Sequence, residues 1–410
     1  MYKFITGYFL VFLISINPSF SQTGWFLQSS PTSYTLNSVY FGDLSTGFAV
    51  GSSGTILRTT NGGMNWQLQS GNTLNDLLSV FFVNSSTGWV SGTGGIILKT
   101  NNSGLNWLAQ TIGTSLNLYS VFFINALTGW AAGAGDFIYF TTNGGLNWNS
   151  SPKNSHHAFY SICFVDQFNG WASGSPGVIR KSTDSGTDWF PQSNEMGSSY
   201  NSIFFANQNM GWVAGAFGSL LRTTNGGVNW IFDTEFPSNH FYSVHFPNVN
   251  TGWVTGAGGI ILVTTNAGVN WVQQTSVTGS TLYSVHFVNN LTGWAVGASG
   301  IIIKTTDGGG LPTGVAPVGN ETPKLFSLSQ NYPNPFNPNS KIKFQIPKSS
   351  NVKLAVFDIL GKQIQMLVNE NLSPGNYDVN FDGSNFPSGV YYYKLEAGDF
   401  VQTKKMVLIK

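Results

Sequence analysis

The chain has 410 residues, with 18 Lys or Arg against 17 Asp or Glu, so 9% of it is charged; ordinary soluble domains carry about 25%. Hydrophobic residues still reach 41%, which leaves ample apolar surface for a core and excludes disorder as the reason for the low charge. The net charge of +1 excludes a polyanion binder held by bulk electrostatics, so no nucleic-acid partner is expected. A single cysteine, Cys163, excludes a disulfide framework and a cysteine-based zinc site.

Met1-Tyr-Lys3 is a short positive start, Phe4 to Ile16 is an apolar run, and Ser19-Phe20-Ser21 places small residues on either side of a bulky one. That order predicts a secretory signal peptide over residues 1–21, cleaved after Ser21. The run is too short to cross a bilayer, which takes about 20 residues. The mature protein is therefore expected to be exported and soluble.

A repeat of 41 residues follows. Trp25, Trp66, Trp107, Trp148, Trp189, Trp230 and Trp271 keep that spacing, as do Phe48, Trp89, Trp130, Trp171, Trp212, Trp253 and Trp294. Glycine precedes every member of the second register, from Gly47 to Gly293, and Gly63 to Gly309 form a third register. In the last unit Tyr283–Val288 predicts strand A, Trp294–Gly297 strand B and Ile301–Thr306 strand C, with an Asn-Trp-led strand D in the other units. Asn-Gly-Gly between C and D is hairpin chemistry, because both residue types tolerate positive φ. Four short strands per repeat, seven times over, predict a seven-bladed β-propeller over residues 22–310. The last unit has Pro312 where its strand-D Trp should stand, and Trp25 has no A, B or C strand before it. Trp25–Gln28 is therefore expected to complete the blade begun at Tyr283 and close the ring, where an open solenoid would leave an unpaired edge at each end.

Ser182-Thr-Asp184-Ser-Gly186-Thr-Asp-Trp189 resembles the Asp-box hairpin of sialidase-like propellers, with Asn61, Asn102, Asn143, Asn225 and Asn266 at the Asp position elsewhere and Asp307 in the last unit. The Gly-Trp and Thr-Thr-Asn-Gly-Gly-x-Asn-Trp strings resemble the photosystem II stability/assembly factor-like propellers. The resemblance implies fold rather than activity.

Residues 311–323, with three prolines and no periodicity, read as a linker. Alternation in Val352–Phe357 and Val390–Leu395 predicts a small antiparallel β-sandwich over residues 324–410. Asn331-Tyr-Pro-Asn-Pro-Phe-Asn-Pro338, Val356-Phe-Asp-Ile-Leu-Gly361-Lys, Pro387-Ser-Gly-Val-Tyr391 and Lys404–Lys410 resemble, in order, the type A sorting domain of the type IX secretion system. That resemblance implies a Bacteroidota-type bacterium, passage of the outer membrane, and a cell-surface or extracellular address, with the secretion machinery as a partner of the tail.

Within the propeller, the tryptophan and glycine registers read as scaffold, which leaves few candidates for function. Tyr119, Tyr160, Tyr242 and Tyr283 recur where strand A begins, beside the D→A loops and the central channel, and could stack on sugars or peptide groups. Inter-blade packing is the alternative for them. Arg58, Lys99, Lys181, Arg222 and Lys304 share one register near the end of strand C, broken by Phe140 and Val263; they read as an anion- or partner-binding arc, or as strand ends whose stems cover apolar surface. Asp136 is the one catalytic candidate, standing where the other units carry Gly54, Gly95, Gly177, Gly218, Gly259 and Gly300. Turn chemistry also accounts for it, since aspartate tolerates the left-handed region. Asp76, Glu195 and Glu235 lie on D→A loops and could pair with it in a two-carboxylate glycosidase scheme. Sialidase chemistry is argued against by the lack of an arginine cluster: the propeller has only Arg58, Arg180 and Arg222. His156, His157, His245 and His286 lack acidic partners at ligand spacing and read as loop and strand residues, so no metal and no cofactor is expected. The expected function is a monomeric binding or scaffold module for a surface protein or glycan. The alternative is a secreted polysaccharide-acting glycoside hydrolase.

Overall fold

The computed structural model describes residues 24–151, 157–192, 198–233, 236, 238–310, 323–372, 374–384 and 386–410. The predicted signal peptide, Pro312 and all but the last residue of the predicted linker lie outside them. Between Trp25 and Thr305 the chain forms seven four-stranded antiparallel sheets, one per repeat. In the first, Leu36–Phe41 (strand A), Gly47–Gly51 (B), Ile56–Thr59 (C) and Gln67–Gln69 (D) pair in sequence order. The seventh consists of Leu282–Phe287, Gly293–Gly297 and Ile302–Thr305, with Trp25–Leu27 as its fourth strand. Trp25 lies opposite Thr305 and Leu27 opposite Ile303, so the chain start completes the blade begun 257 residues later, at Leu282. The predicted strands A, B and C of the last unit hold to within one residue at their starts, while strand D of the first blade begins at Gln67, two residues after the Asn65 expected to lead it. Blades are numbered 1 to 7 from Leu36.

Each blade interface repeats one aromatic sandwich. Phe41 of strand A stacks on Trp294 of the preceding blade, centroids 3.5 Å apart and planes at 5°, and takes the edge of its own strand-D Trp66 at 5.7 Å and 88°. Phe123 lies in the same way between Trp89 and Trp148, and Phe205 between Trp171 and Trp230. Such pairs contribute about 0.5–1.5 kcal/mol beyond the area they bury. The glycine before each strand-B aromatic follows from this packing. A Cβ on Gly47 would stand 2.3 Å from the Phe41 ring, and one on Gly88 2.5 Å from Phe82.

The C→D turns are built as the Asp-box resemblance implies. The Thr59 hydroxyl donates to Asn61 Oδ1 at 3.0 Å and accepts the Gly63 N–H at 3.0 Å, while Asn65 N–H reaches Asn61 Oδ1 at 3.0 Å. At the seam Gly24 N–H supplies that last bond, to Asp307 Oδ2 at 2.9 Å. A second girdle runs around the innermost strands. Ser38, Ser79, Ser120, Ser161, Ser202, Ser243 and Ser284 each accept a backbone N–H from strand A of the next blade at 3.1–3.2 Å, and the last of these bonds, from Val39 N–H to Ser284, closes the circle.

The C-terminal residues form two antiparallel sheets. One holds Ser327–Leu328, Asn339–Ile346 and Gly375–Asp382; the other holds Gln363–Leu372, Ser350–Phe357, Gly389–Ala397 and Phe400–Leu408. Strict alternation along Asn339–Ile346 buries Ile342, Phe344 and Ile346 against Leu354, Tyr393 and Met406.

Candidate functional site

Four of the five strand-C cations brace neighbouring blades. Lys304 Nζ donates to the Gly62 carbonyl of blade 1 at 2.8 Å while lying 5.1 Å from the centroid of Trp294, whose Nε1 donates to the same carbonyl at 3.2 Å. Lys99 does the same with the Gly144 carbonyl and Trp89, and Lys181 with the Gly226 carbonyl and Trp171. Arg58 Nε donates to the Ser103 carbonyl at 2.8 Å. Arg222 lines a groove with Trp212, Phe232 and Trp271. Partial burial lowers the pKa of Lys99, Lys181 and Lys304, in keeping with ammonium groups set against indole faces.

The four tyrosines fall into two pairs. Tyr119 and Tyr160 meet edge to face at 5.1 Å, and Tyr242 and Tyr283 at 5.0 Å. All four are half-buried at the start of strand A, and their hydroxyls make no hydrogen bond among the described residues. Burial, and then the neighbouring Tyr283, raises the pKa of Tyr242. In the other blades the register carries Asn37, Leu78 and Asn201; the two amides donate to the Leu77 and Phe241 carbonyls of the next blade at 2.9 and 2.7 Å. The mouth of the channel therefore presents two aromatic pairs separated by amide and leucine positions.

Three residues further along strand A, Tyr40, Phe81, Phe122, Cys163, Phe204, His245 and His286 form a belt around the channel. His245 and His286 stand 4.5 Å apart, and His286 lies 4.8 Å from Tyr40. Both histidines are strand residues, as expected from the sequence. Burial lowers the pKa of His245 to about 4 and that of His286 well below the usual imidazole value, with His245 adding to the second shift. Burial pushes the Cys163 thiol up to about 12. Neither this belt nor the serine girdle was singled out in the sequence, although both follow the 41-residue period.

Asp136 adopts φ +67°, matching Gly54 at +68° and Gly300 at +70°. Its N–H donates to the His157 carbonyl at 2.8 Å, and its carboxylate lies 3.6 Å from His157 Nδ1, with the two side chains only 5% and 7% exposed. Tyr139 and Arg180 are buried in a register that holds Leu or Ile in the other five blades. Asp76 is engaged elsewhere, accepting Ser53 N–H at 2.8 Å. Glu195, Glu235 and His156 lie outside the described residues. Among the described residues no three His, Cys, Asp or Glu side chains converge as a metal site.

The model of the family described as photosynthesis system II assembly factor YCF48 matches residues 17–117, 105–195 and 193–278, which together span more than half of the sequence. The chain belongs to that family. Residues 330–410 match the secretion system C-terminal sorting domain, which makes the chain a cargo of type IX secretion bound across the outer membrane. Among solved structures, YCF48 bound to a D1 peptide is similar at 20% identity and TM-score 0.60, covering 70% of this chain and 99% of its own. YCF48 from Cyanidioschyzon merolae gives 20% and 0.59, covering 69% and 98%. A GH74 xyloglucanase from Xanthomonas campestris gives 11% and 0.58, covering 70% of this chain and 54% of the enzyme. At these identities the likeness is one of fold, and it is shared by the family and the enzyme alike. No curated protein matches the sequence.

Proposed function

We propose that the chain is an exported binding module whose propeller holds an extended polypeptide segment of a surface protein at the tyrosine-lined mouth of the channel. Export begins, in this reading, with removal of residues 1–21, and residues 324–410 direct passage of the outer membrane. The observation that carries the binding site is the pair of tyrosine couples with unengaged hydroxyls, in a propeller whose tryptophans are packed between blades. Aromatic faces beside open hydroxyls suit peptide planes and apolar side chains. The similar propeller solved with a D1 peptide supports a polypeptide ligand.

A peptide array probed with the mature protein, followed by calorimetry on the best sequences, tests the site. The Tyr119→Ala/Tyr160→Ala variant is expected to weaken binding at least tenfold with unchanged thermal unfolding. Parent-level affinity in both that variant and Tyr242→Ala/Tyr283→Ala would remove the mouth as the site. The xyloglucanase likeness keeps a glycoside hydrolase as the second reading, although the side chain of Asp136 is only 5% exposed and faces His157. Glycan hydrolysis abolished by Asp136→Ala would replace the binding reading.

A further inference from the structure

We infer that the Ile359–Leu360 turn is the element of the sorting domain that docks on the secretion machinery, in an apolar pocket flanked by an acidic group. This rests on the sorting role of residues 330–410. Ile359 is 70% exposed and Leu360 87%, two adjacent large apolar side chains held out in water. Nothing in the folding of the domain calls for that, because its core is complete without them.

The turn is held in one shape. Asp358 Oδ1 accepts the N–H groups of both Leu360 and Lys362 at 2.9 Å, the Asp358 N–H donates to the Lys362 carbonyl at 3.0 Å, and Gly361 sits at φ +79°. A locked turn loses little conformational entropy on docking. Behind it, Phe357, Tyr392 and Lys405 pair directly across three strands on the outward face of the sheet, since Val356, Tyr393 and Met406 point into the core. The strip is apolar at the turn and ends on an exposed lysine. Asp358 keeps its negative charge, but the exposed Lys362 in the turn and Lys405 at the end of the strip outnumber it, so the net local charge offered to a partner is positive. The occupant is accordingly a pocket with apolar walls and a carboxylate opposite Lys405.

The test follows the full chain in a bacterium with a type IX system. Ile359→Ser/Leu360→Ser is expected to reduce delivery across the outer membrane at least tenfold, with folded protein retained in the periplasm. The conservative Ile359→Leu/Leu360→Ile exchange should restore delivery. Normal delivery of the double serine variant, while deletion of residues 324–410 blocks it, would overturn the docking turn and leave the sorting role intact. Normal delivery of the deletion would overturn the sorting role itself. Purified full-length chain supplies the remaining outcomes. Self-association, or binding to protein-free lipid vesicles, that is lost on double serine substitution would identify a second copy or the membrane as the occupant and overturn the proposal.

Discussion

Lys304 carries a charge to the end of strand C, yet its ammonium meets a turn carbonyl of the next blade over an indole face. The Gly62 carbonyl also accepts from Trp294 Nε1, so it would stay satisfied without the lysine. The lysine is thus one of two braces at that turn, and its net contribution is of the order of a single hydrogen bond, about 1 kcal/mol. The histidine pair in the channel has a sharper consequence. Burial lowers the pKa of His245 to about 4 in the folded protein and that of His286 well below the ordinary imidazole value, which is about 6.5 in the unfolded chain. Between those values the unfolded state binds more protons, so stability rises with pH, is fully present above about 6.5 and is lost as pH falls toward 4. Phe occupies the same register in blades 2, 3 and 5. His245→Phe/His286→Phe should therefore flatten the dependence of the urea midpoint on pH across this window. An unchanged slope would assign the acid sensitivity to other groups.

Among the elements, the strand-B start shows how packing dictates sequence. Gly88 stands where the Phe82 ring lies, and a methyl group there would sit at 2.5 Å from it. Gly88→Ala should lower stability by about 1–3 kcal/mol through overpacking, read as a fall in the thermal midpoint. A midpoint within error of the parent would mean that the ring can move aside. The blade pattern was legible in the sequence because Trp, Gly and Asx each have a fixed local duty, and that duty recurs every 41 residues. The role of the cations was not legible. Lys99 bonds to Gly144, 45 residues on, and Trp89 reaches the same carbonyl from 55 away. Those separations are one repeat plus 4 and plus 14, and they become contacts only when blades pack side by side. The serine girdle failed to register for a different reason: serine is common here, and its neighbours in strand A are more conspicuous. Asp136 was readable as a turn residue, because its positive φ is the property it shares with the six glycines. Its enclosure against His157 was not, because the partner stands across a D→A loop.

At the scale of the whole molecule, the propeller depends on a seam. Trp25 is 3% exposed, edges onto Phe287 and donates from Nε1 to Gln274 Oε1 at 2.9 Å, while Gly24 holds the Asp307 carboxylate. Trp25→Ala should cost about 3–5 kcal/mol, whereas Asp307→Asn, which keeps one of the two acceptor oxygens engaged at this turn, should cost about 1 kcal/mol. Chemical denaturation of the mature chain measures both, and equal losses would contradict a seam held chiefly by the indole. The seam bond joins residues 283 positions apart. A chain that emerges from its N-terminus first must hold those opening residues in reserve until the last blade has arrived. Six sheets can assemble in order as they appear, from neighbours in sequence, but the seventh waits for both ends. The interval between the first blade and the closed ring is thus set by how fast the chain is delivered. Throughout it, Trp25 stands unpacked as an apolar strand without its blade, because the residues that enclose it, from Trp253 to Ile303, are the last to arrive, and it is the point at which a holdase or a second unfinished ring would make contact.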